Sequence, residues 1–207
     1  MSLVQKGFSN DLVCSNSVFL LAQAESQPNF YNRKIMGGHA YWYYVDYRAD
    51  INSALQALRK REFAAGRYNP VMPLIEFPIT SGSPAPGAQH ASIEEALEAA
   101  ETEGTRSILD IFQVSPVPYA EAVATSTHGG MDLFCTTFPL PQDELLTLFG
   151  TERVTRDLIE AVIVESEENE ALADQFWESI DRGTARHILV YEGDYPKEVF
   201  FIGYSFD

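Results

Sequence analysis

The chain has 207 residues, of which 45% are hydrophobic and 21% are charged, and this composition is typical of a soluble globular protein. It excludes a fibrous or largely disordered protein, and no apolar run approaches the 18 residues that predict a transmembrane helix. Fourteen Lys plus Arg against thirty Asp plus Glu give a net charge of −16, which argues against nucleic acid as a partner because the surface would repel phosphates.

The first predicted elements are a strand and a helix. Residues 39–47 are dense in aromatic and β-branched side chains on both faces, which predicts a central strand covered on each side. Apolar residues then recur at helical spacing over 51–65. Asp50 can cap the start of this helix, and Gly66 can supply the left-handed residue that ends it.

The next region is rich in residues that break helices. Five prolines between 69 and 88 exclude a helix there, and 74–79 is predicted as a short edge strand. Ser92 and Glu95 then have the spacing of a capping box, which predicts a second helix that ends before Gly104.

The middle of the chain gives weaker signals. A compact apolar run predicts a strand over 107–114, and 133–138 is predicted as another strand. Residues 115–131 are rich in Pro, Ala, Ser, Thr and Gly and mark a weak domain boundary. The whole chain, 1–207, is predicted to form a single domain.

The last part of the chain is predicted to contain three helices and a β-hairpin. The helices cover 141–149, a segment capped by Thr151 that ends near 161, and an acidic segment over 167–182. The hairpin strands are predicted over 186–192 and 197–206, because the turn residues Gly193, Asp194 and Pro196 separate them.

Together these elements predict an α+β fold, with a mixed or mainly antiparallel sheet, about five packed helices and a C-terminal hairpin. A doubly wound parallel sheet is the alternative. Strands and helices do not alternate strictly enough along the chain to favour it.

The first candidate ligand site is an aromatic wall on the strand at 39–47. Alternation places His39, Tyr41 and Tyr43 on one face, and a wall of rings with hydroxyl and imidazole tips is common in ligand pockets. The competing interpretation, which we favour for these tyrosines, is a packed aromatic core.

Three further residues are candidates for ligand binding. Arg61 and Arg67 lie near a helix end and could hold an anionic ligand, although pairing with one of the thirty carboxylates is the better interpretation. His128 precedes two glycines in a loop where backbone could approach a ligand closely, but glycines in a loop most often form turns.

A candidate surface for a partner is acidic. Glu94, Glu98 and Glu101 lie on one face of the predicted second helix, with no Lys or Arg between them. Such a face could attract a basic protein, and a simple solvated face would look the same in the sequence.

Motifs of the large enzyme classes are missing from the sequence. It contains no phosphate-binding loop, nucleophile elbow, dinucleotide fingerprint or zinc-ligand spacing, so we predict no cofactor and no metal. Cys14 and Cys135 are far apart and predict reduced thiols in the cytoplasm, although a disulfide between them stays open.

Three short stretches resemble bacterial proteins of uncharacterised function. They are Ala65-Gly66-Arg67-Tyr68-Asn69-Pro70, Ser83-Pro84-Ala85-Pro86-Gly87 and Gly104-Thr105-Arg106-Ser107-Ile108-Leu109-Asp110. The resemblance covers about residues 39–112. It implies a bacterial, cytosolic origin and implies no activity.

The sequence thus supports three functional hypotheses. The first is a non-enzymatic cytoplasmic protein that binds a basic protein partner, as an inhibitor or immunity protein would. The second is an enzyme or ligand-binding module with a pocket lined by Tyr and His. The third is a structural protein without a ligand, and a homodimer is compatible with all three.

Overall fold

The structure, a computed structural model, describes residues 38–73, 78–127, 130–165 and 170–205. The predictions for Cys14 and His128, most of the strand over 74–79 and the start of the helix over 167–182 lie outside these residues. Within them the chain has the predicted α+β fold, with one mixed sheet and helices on both of its faces.

The described strands are β1 (Ala40–Asp46), β2 (Ile79–Thr80), β3 (Gln113–Val114), β4 (Thr136–Pro139), β5 (Thr184–Glu192) and β6 (Tyr195–Tyr204). The described α-helices are α1 (Ile51–Ala65), α2 (Ile93–Ala100), α3 (Tyr119–Thr125), α4 (Gln142–Phe149), α5 (Arg156–Ile159) and α6 (Glu170–Glu178). Three short 3-10 turns and one π-helical turn, Glu160–Val164, complete the set.

The sheet contains one strand that runs against the others. The strand order is β2-β1-β6-β5-β4-β3, and β6 is antiparallel to both of its neighbours, β1 and β5. All other pairings are parallel, so five strands share one direction. The predicted C-terminal hairpin is confirmed, with Glu192 opposite Tyr195 and a positive φ of 62° at Gly193 in the turn.

The first strand and helix form where local sequence predicts them. β1 lies between β2 and β6, and its side chains are buried on both faces. The Asp50 carboxylate accepts hydrogen bonds from the N–H groups of Asn52 and Ser53 at the start of α1. The helix ends at Gly66, whose φ of 74° lies in the left-handed region.

Each face of the sheet carries its own core. On one face, Leu55 and Leu58 of α1 pack against Tyr41 and Phe201. On the opposite face, α4, α5 and α6 with the π-helical turn pack against the sheet. The buried residues of this second core include Phe149, Ile159, Ile163, Phe176, Trp177, Ile188, Phe200 and Ile202.

The strand predicted over 107–114 is wrong for most of its length. Ser107 Oγ accepts the N–H of Leu109, and Asp110 Oδ1 accepts the N–H of Thr105, so Ile108–Asp110 forms a buried 3-10 turn. Only Gln113–Val114 pairs with the sheet. An unbroken apolar run fits any buried conformation, so it does not specify a strand.

Three other boundaries differ from prediction. Thr155, and not Thr151, caps α5, because its Oγ1 accepts the N–H of Leu158. Residues 115–131, which the sequence marks as a weak domain boundary, contain the helix α3. The strand predicted over 133–138 begins only at Thr136, since a 3-10 turn occupies Met131–Leu133.

Candidate functional site

The aromatic wall predicted on β1 lies in the core. The side chains of Tyr41 and Tyr43 are 0% and 1% exposed, and their ring centroids are 6.1 Å apart. Burial raises the pKa of both hydroxyls, with further contributions from the Asp110 and Glu62 carboxylates respectively. This burial favours the packed-core interpretation. His39 lies before β1, where its main-chain N–H donates to Ser205 Oγ at 2.8 Å.

The two predicted arginines share one carboxylate of the chain. Glu62 is fully buried, with Oε1 2.7 Å from Arg61 Nε and Oε2 3.0 Å from Arg67 Nη1. Arg61 also donates to the carbonyl of Tyr44, and Arg67 donates to the carbonyl of Ser83. Their donors therefore attach the loop around Ser83 to the end of α1, which is the internal pairing that the acidic composition favours.

The predicted acidic residues lie on the surface. Glu94, Glu98 and Glu101 are all exposed, at α2 and directly after it. Within the described part of the chain, Glu98 and Glu101 have no ion pair. The pKa of Glu94 is lowered, mainly by hydrogen bonds from its own backbone and from Ser92, and to a smaller extent by the charge of the nearby Arg59. The structure thus leaves their negative charge available to a partner.

A cleft of about 500 Å³ lies at the edge of the sheet where β1, β4 and β5 end. We call it the carboxyl-edge cleft. It is lined by side chains from four segments, 47–51, 139–145, 152–153 and 187–191. Its volume is within the range of small-molecule sites, and its lining combines apolar side chains with a few polar groups.

The topology of the sheet explains why a cleft opens there. The chain leaving β1 enters α1 on one face of the sheet, and the chain leaving β4 enters α4 on the opposite face. Because these two connections diverge, they leave a crevice at the carboxyl ends of the parallel strands. In open sheets with parallel strands, this is the usual place for a ligand.

One histidine lines the cleft where β4 and β5 separate. His187 is 7% exposed, and burial lowers its pKa to about 4, so its ring is neutral at neutral pH. Its Nδ1 lies 3.2 Å from Thr137 Oγ1. Its Nε2 has no hydrogen-bond partner among the described residues. A neutral imidazole has one donor and one acceptor, so Nε2 can bond to a ligand.

Strand β5 leaves one backbone position open at the cleft. The β4 side of β5 is occupied at His187, whose carbonyl accepts the N–H of Leu140 at 3.1 Å, and at Tyr191, whose N–H donates to Val154 at 2.8 Å. Leu189 lies between them, and its N–H and C=O point to the same side as those of His187. No described residue forms a hydrogen bond with either group.

The charged groups at the rim of the cleft, Glu152 and Arg153, each bond to a neighbouring side chain. The side-chain amide of Gln142 donates to the carboxylate of Glu152. The guanidinium of Arg153 pairs with Asp194 in the hairpin turn. Neutral polar groups of the lining that can meet a ligand include His187, the backbone of Leu189, Tyr47 and Tyr191.

Sequence reasoning missed this cleft because no local pattern marks it. The sequence contains four histidines, and their spacing does not single out His187. Leu189 carries no chemistry in its side chain. The cleft forms because α1 and α4 cover opposite faces of the sheet. The apolar periodicity of a helix shows that it packs on the sheet, but it does not show on which face. Only the strand order and direction bring these residues together.

Two other kinds of site are absent from the described ranges. No helix there is long and apolar enough to cross a bilayer. No group of three or more His, Cys, Asp or Glu side chains there is arranged to hold a metal ion. Comparison of the chain with protein-family models, curated proteins and solved structures gives no match.

Proposed function

We propose that the protein binds a small molecule in the carboxyl-edge cleft. The observation that carries this proposal is the position of the cleft, which opens where the connections after β1 and β4 diverge to opposite faces. The mixed lining and the neutral, buried His187 support it. This proposal keeps the predicted class of function, a ligand-binding module with Tyr and His in its pocket. The residues differ from the prediction, because Tyr47, Tyr191 and His187 line the cleft.

The test combines ligand detection with a pair of matched variants. Native and denaturing mass spectrometry of the purified protein detect a retained ligand, and a thermal-shift screen against a metabolite library detects a weaker one. Ala49→Trp fills the cleft from an exposed position, whereas Ala120→Trp adds the same side chain on α3, away from the cleft. We expect Ala49→Trp to abolish binding and Ala120→Trp to retain it. Equal binding by both variants would refute the proposal.

We also propose, as a second candidate, that the surface at α2 binds a basic protein, as an inhibitor or immunity protein does. The specific observation in its favour is that Glu98 and Glu101 are exposed and form no ion pair with the described residues. Repulsion among neighbouring carboxylates is relieved when a cationic surface covers them, so such a face favours a basic partner.

A lysine-rich peptide is a suitable probe for this surface. Glu94→Lys, Glu98→Lys and Glu101→Lys in one variant should weaken its binding at least about tenfold at low salt. The matched control is Glu121→Lys, Asp143→Lys and Glu178→Lys, which changes the net charge equally at other exposed positions. If both variants lose the same affinity, only the net charge matters and the α2 surface is not a site.

A cytoplasmic location and a homodimer complete the proposal. Two reduced thiols per chain would support the cytoplasmic location. Titration of free thiols in protein prepared without reductant measures their number. The native mass of the assembly tests the second directly. A mass of one chain at micromolar concentration would exclude a stable homodimer.

A further inference from the structure

We infer that the carboxyl-edge cleft recognises a neutral secondary amide, the group of a peptide bond, by pairing it with the open backbone of Leu189. This inference rests on the proposed ligand-binding function and names the chemical class of the ligand. It starts from the N–H and C=O of Leu189, a residue that lines the cleft. Strand alternation places these two groups on the β4 side of β5, and they have no partner among the described residues.

The spacing of the neighbouring bonds limits the ligand to about one residue. Toward one end, Leu140 already bonds to His187, and toward the other end, Tyr191 already bonds to Val154. A longer strand cannot be added here, because these bonds close the edge of β5 on both sides of Leu189. A single amino-acid unit flanked by two amides can bond to both groups of Leu189, in either strand direction.

The surroundings of Leu189 fit the rest of such a ligand. Ile51, Leu140 and Leu145 contribute apolar surface for a hydrocarbon side chain. His187 is neutral and can donate or accept one further hydrogen bond. Arg153 at the rim is already paired with Asp194. Glu152 keeps its negative charge, because its partner Gln142 is neutral, and the chain carries a net charge of −16, so these features do not favour an anionic ligand.

Amide hydrogen exchange followed by NMR tests whether this edge is open. Ile188 and Val190 direct their backbone groups to β6, so their amides should exchange slowly. The amide of Leu189 should exchange at least about tenfold faster in the free protein, because it lacks a partner. Equal protection of Leu189 in the free protein would show that the edge is already covered and would overturn the inference.

The probe is N-acetyl-leucine N-methylamide, which has one apolar side chain between two secondary amides. It should shift the NMR signal of the Leu189 amide and slow its exchange. The control probe is N-acetyl-N-methylleucine N,N-dimethylamide, which has a similar apolar surface and carries no N–H. The control should bind at least about tenfold more weakly, because the carbonyl of Leu189 would be left unpaired.

Two variants at one position separate the backbone from the side chain. Leu189→Ala keeps the amide, whereas Leu189→Pro removes it at a strand position whose N–H the sheet does not use. Folded Leu189→Pro should bind the amide probe at least about tenfold more weakly than Leu189→Ala, which also loses the leucine side chain but keeps the N–H. If Leu189→Pro does not fold, the two probes still decide the question.

The outcomes distinguish this inference from the proposed function. If ligands bind and Ala49→Trp abolishes their binding, but both leucine probes bind equally, the cleft is a site and amide recognition is wrong. If Ala49→Trp leaves all binding unchanged, the proposed function itself fails.

Discussion

Glu62 shows how one residue can determine the role of two others. Its carboxylate has no exposed surface, and its two oxygens each face one guanidinium, from Arg61 and Arg67. A buried carboxylate needs such compensation, because the loss of hydration costs several kcal/mol, roughly, when no partner replaces the water. The two arginines therefore hold the fold together, although from sequence they resemble a clamp for a ligand.

Replacing this carboxylate should be costly. We expect Glu62→Gln to lower the free energy of unfolding by about 2–4 kcal/mol, because two cations and their hydrogen bonds lose the buried charge between them. Urea denaturation measures this change. Glu98→Gln, on the exposed surface of α2, should change stability by less than about 0.5 kcal/mol. A small effect of Glu62→Gln would show that a neutral amide compensates the two guanidinium groups as well as the carboxylate does.

His187 should make stability depend on pH. Burial lowers its pKa from 6.5 to about 4 in the folded protein, so between these values the unfolded chain binds a proton that the folded chain does not. Stability from this group is complete above about pH 6.5 and falls as the pH decreases toward 4, by about 2–3 kcal/mol in total.

The variant His187→Gln isolates this contribution. The free energy of unfolding of wild type and of the variant is measured from pH 7 to pH 4. Protonation of the carboxylates affects both proteins equally over this interval. The wild-type curve should fall more steeply over this interval because it alone contains the histidine. Parallel curves would mean that the ring at position 187 gains a proton in the folded state as readily as in the unfolded chain.

At the scale of elements, two helices end in the same way but in different surroundings. Gly66 ends α1 with φ 74°, and Gly150 ends α4 with φ 69°. An added Cβ at Gly66 would overlap the backbone of Gly87, whereas one at Gly150 would meet no atom within 4 Å. Both glycines thus adopt the left-handed conformation, and Gly66 alone of the two also has no room for a Cβ atom.

Alanine substitutions should separate these two effects. Gly150→Ala should cost about 1 kcal/mol, from the left-handed conformation alone. Gly66→Ala should cost about 3 kcal/mol or more, because the loop around Gly87 must also move. Thermal or urea unfolding of both variants gives the comparison. An equal loss of unfolding free energy in both variants would show that the loop around Gly87 moves at no cost in free energy.

Local signals explain which elements the sequence predicts well. The extent of α1 is predicted correctly because Asp50, an amphipathic stripe and Gly66 all indicate the same helix. The turn over Ile108–Asp110 was missed because the side chains of Ser107 and Asp110 bond to the backbone, and this competes with strand pairing. A signal that depends on such local bonds cannot be recognised from apolarity alone.

The candidate site was much harder to predict than the elements. Tyr41 and Tyr43 have the chemistry of a pocket, yet they lie under α1, because that helix covers their face of the sheet. The cleft instead uses residues from four separated segments, which only the strand order brings together. The sequence names Tyr and His as candidate ligand residues, and these residue types also line the cleft, but it gives no means of placing the cleft.

At the scale of the whole molecule, charge should weaken the fold. A net charge of −16 produces repulsion that is stronger in the compact state than in the unfolded chain. We expect the melting temperature at pH 7 to rise by a few degrees, roughly, when NaCl increases from about 20 to about 200 mM. The rise should vanish at pH 4.5, where the sequence has no net charge. A rise in melting temperature of the same size at pH 7 and pH 4.5 would show that repulsion from the net charge does not cause it.

The central position of β6 has a consequence for the time course of synthesis. β6 is the last described strand, yet Trp42 of β1 and Arg186 of β5 both lie opposite its Ile202. At usual translation rates, the ribosome needs roughly ten to thirty seconds to progress from β1 to β6. During that interval β1 has an unpaired edge and apolar residues on both faces, so the nascent chain is a natural client for chaperones until β6 is made.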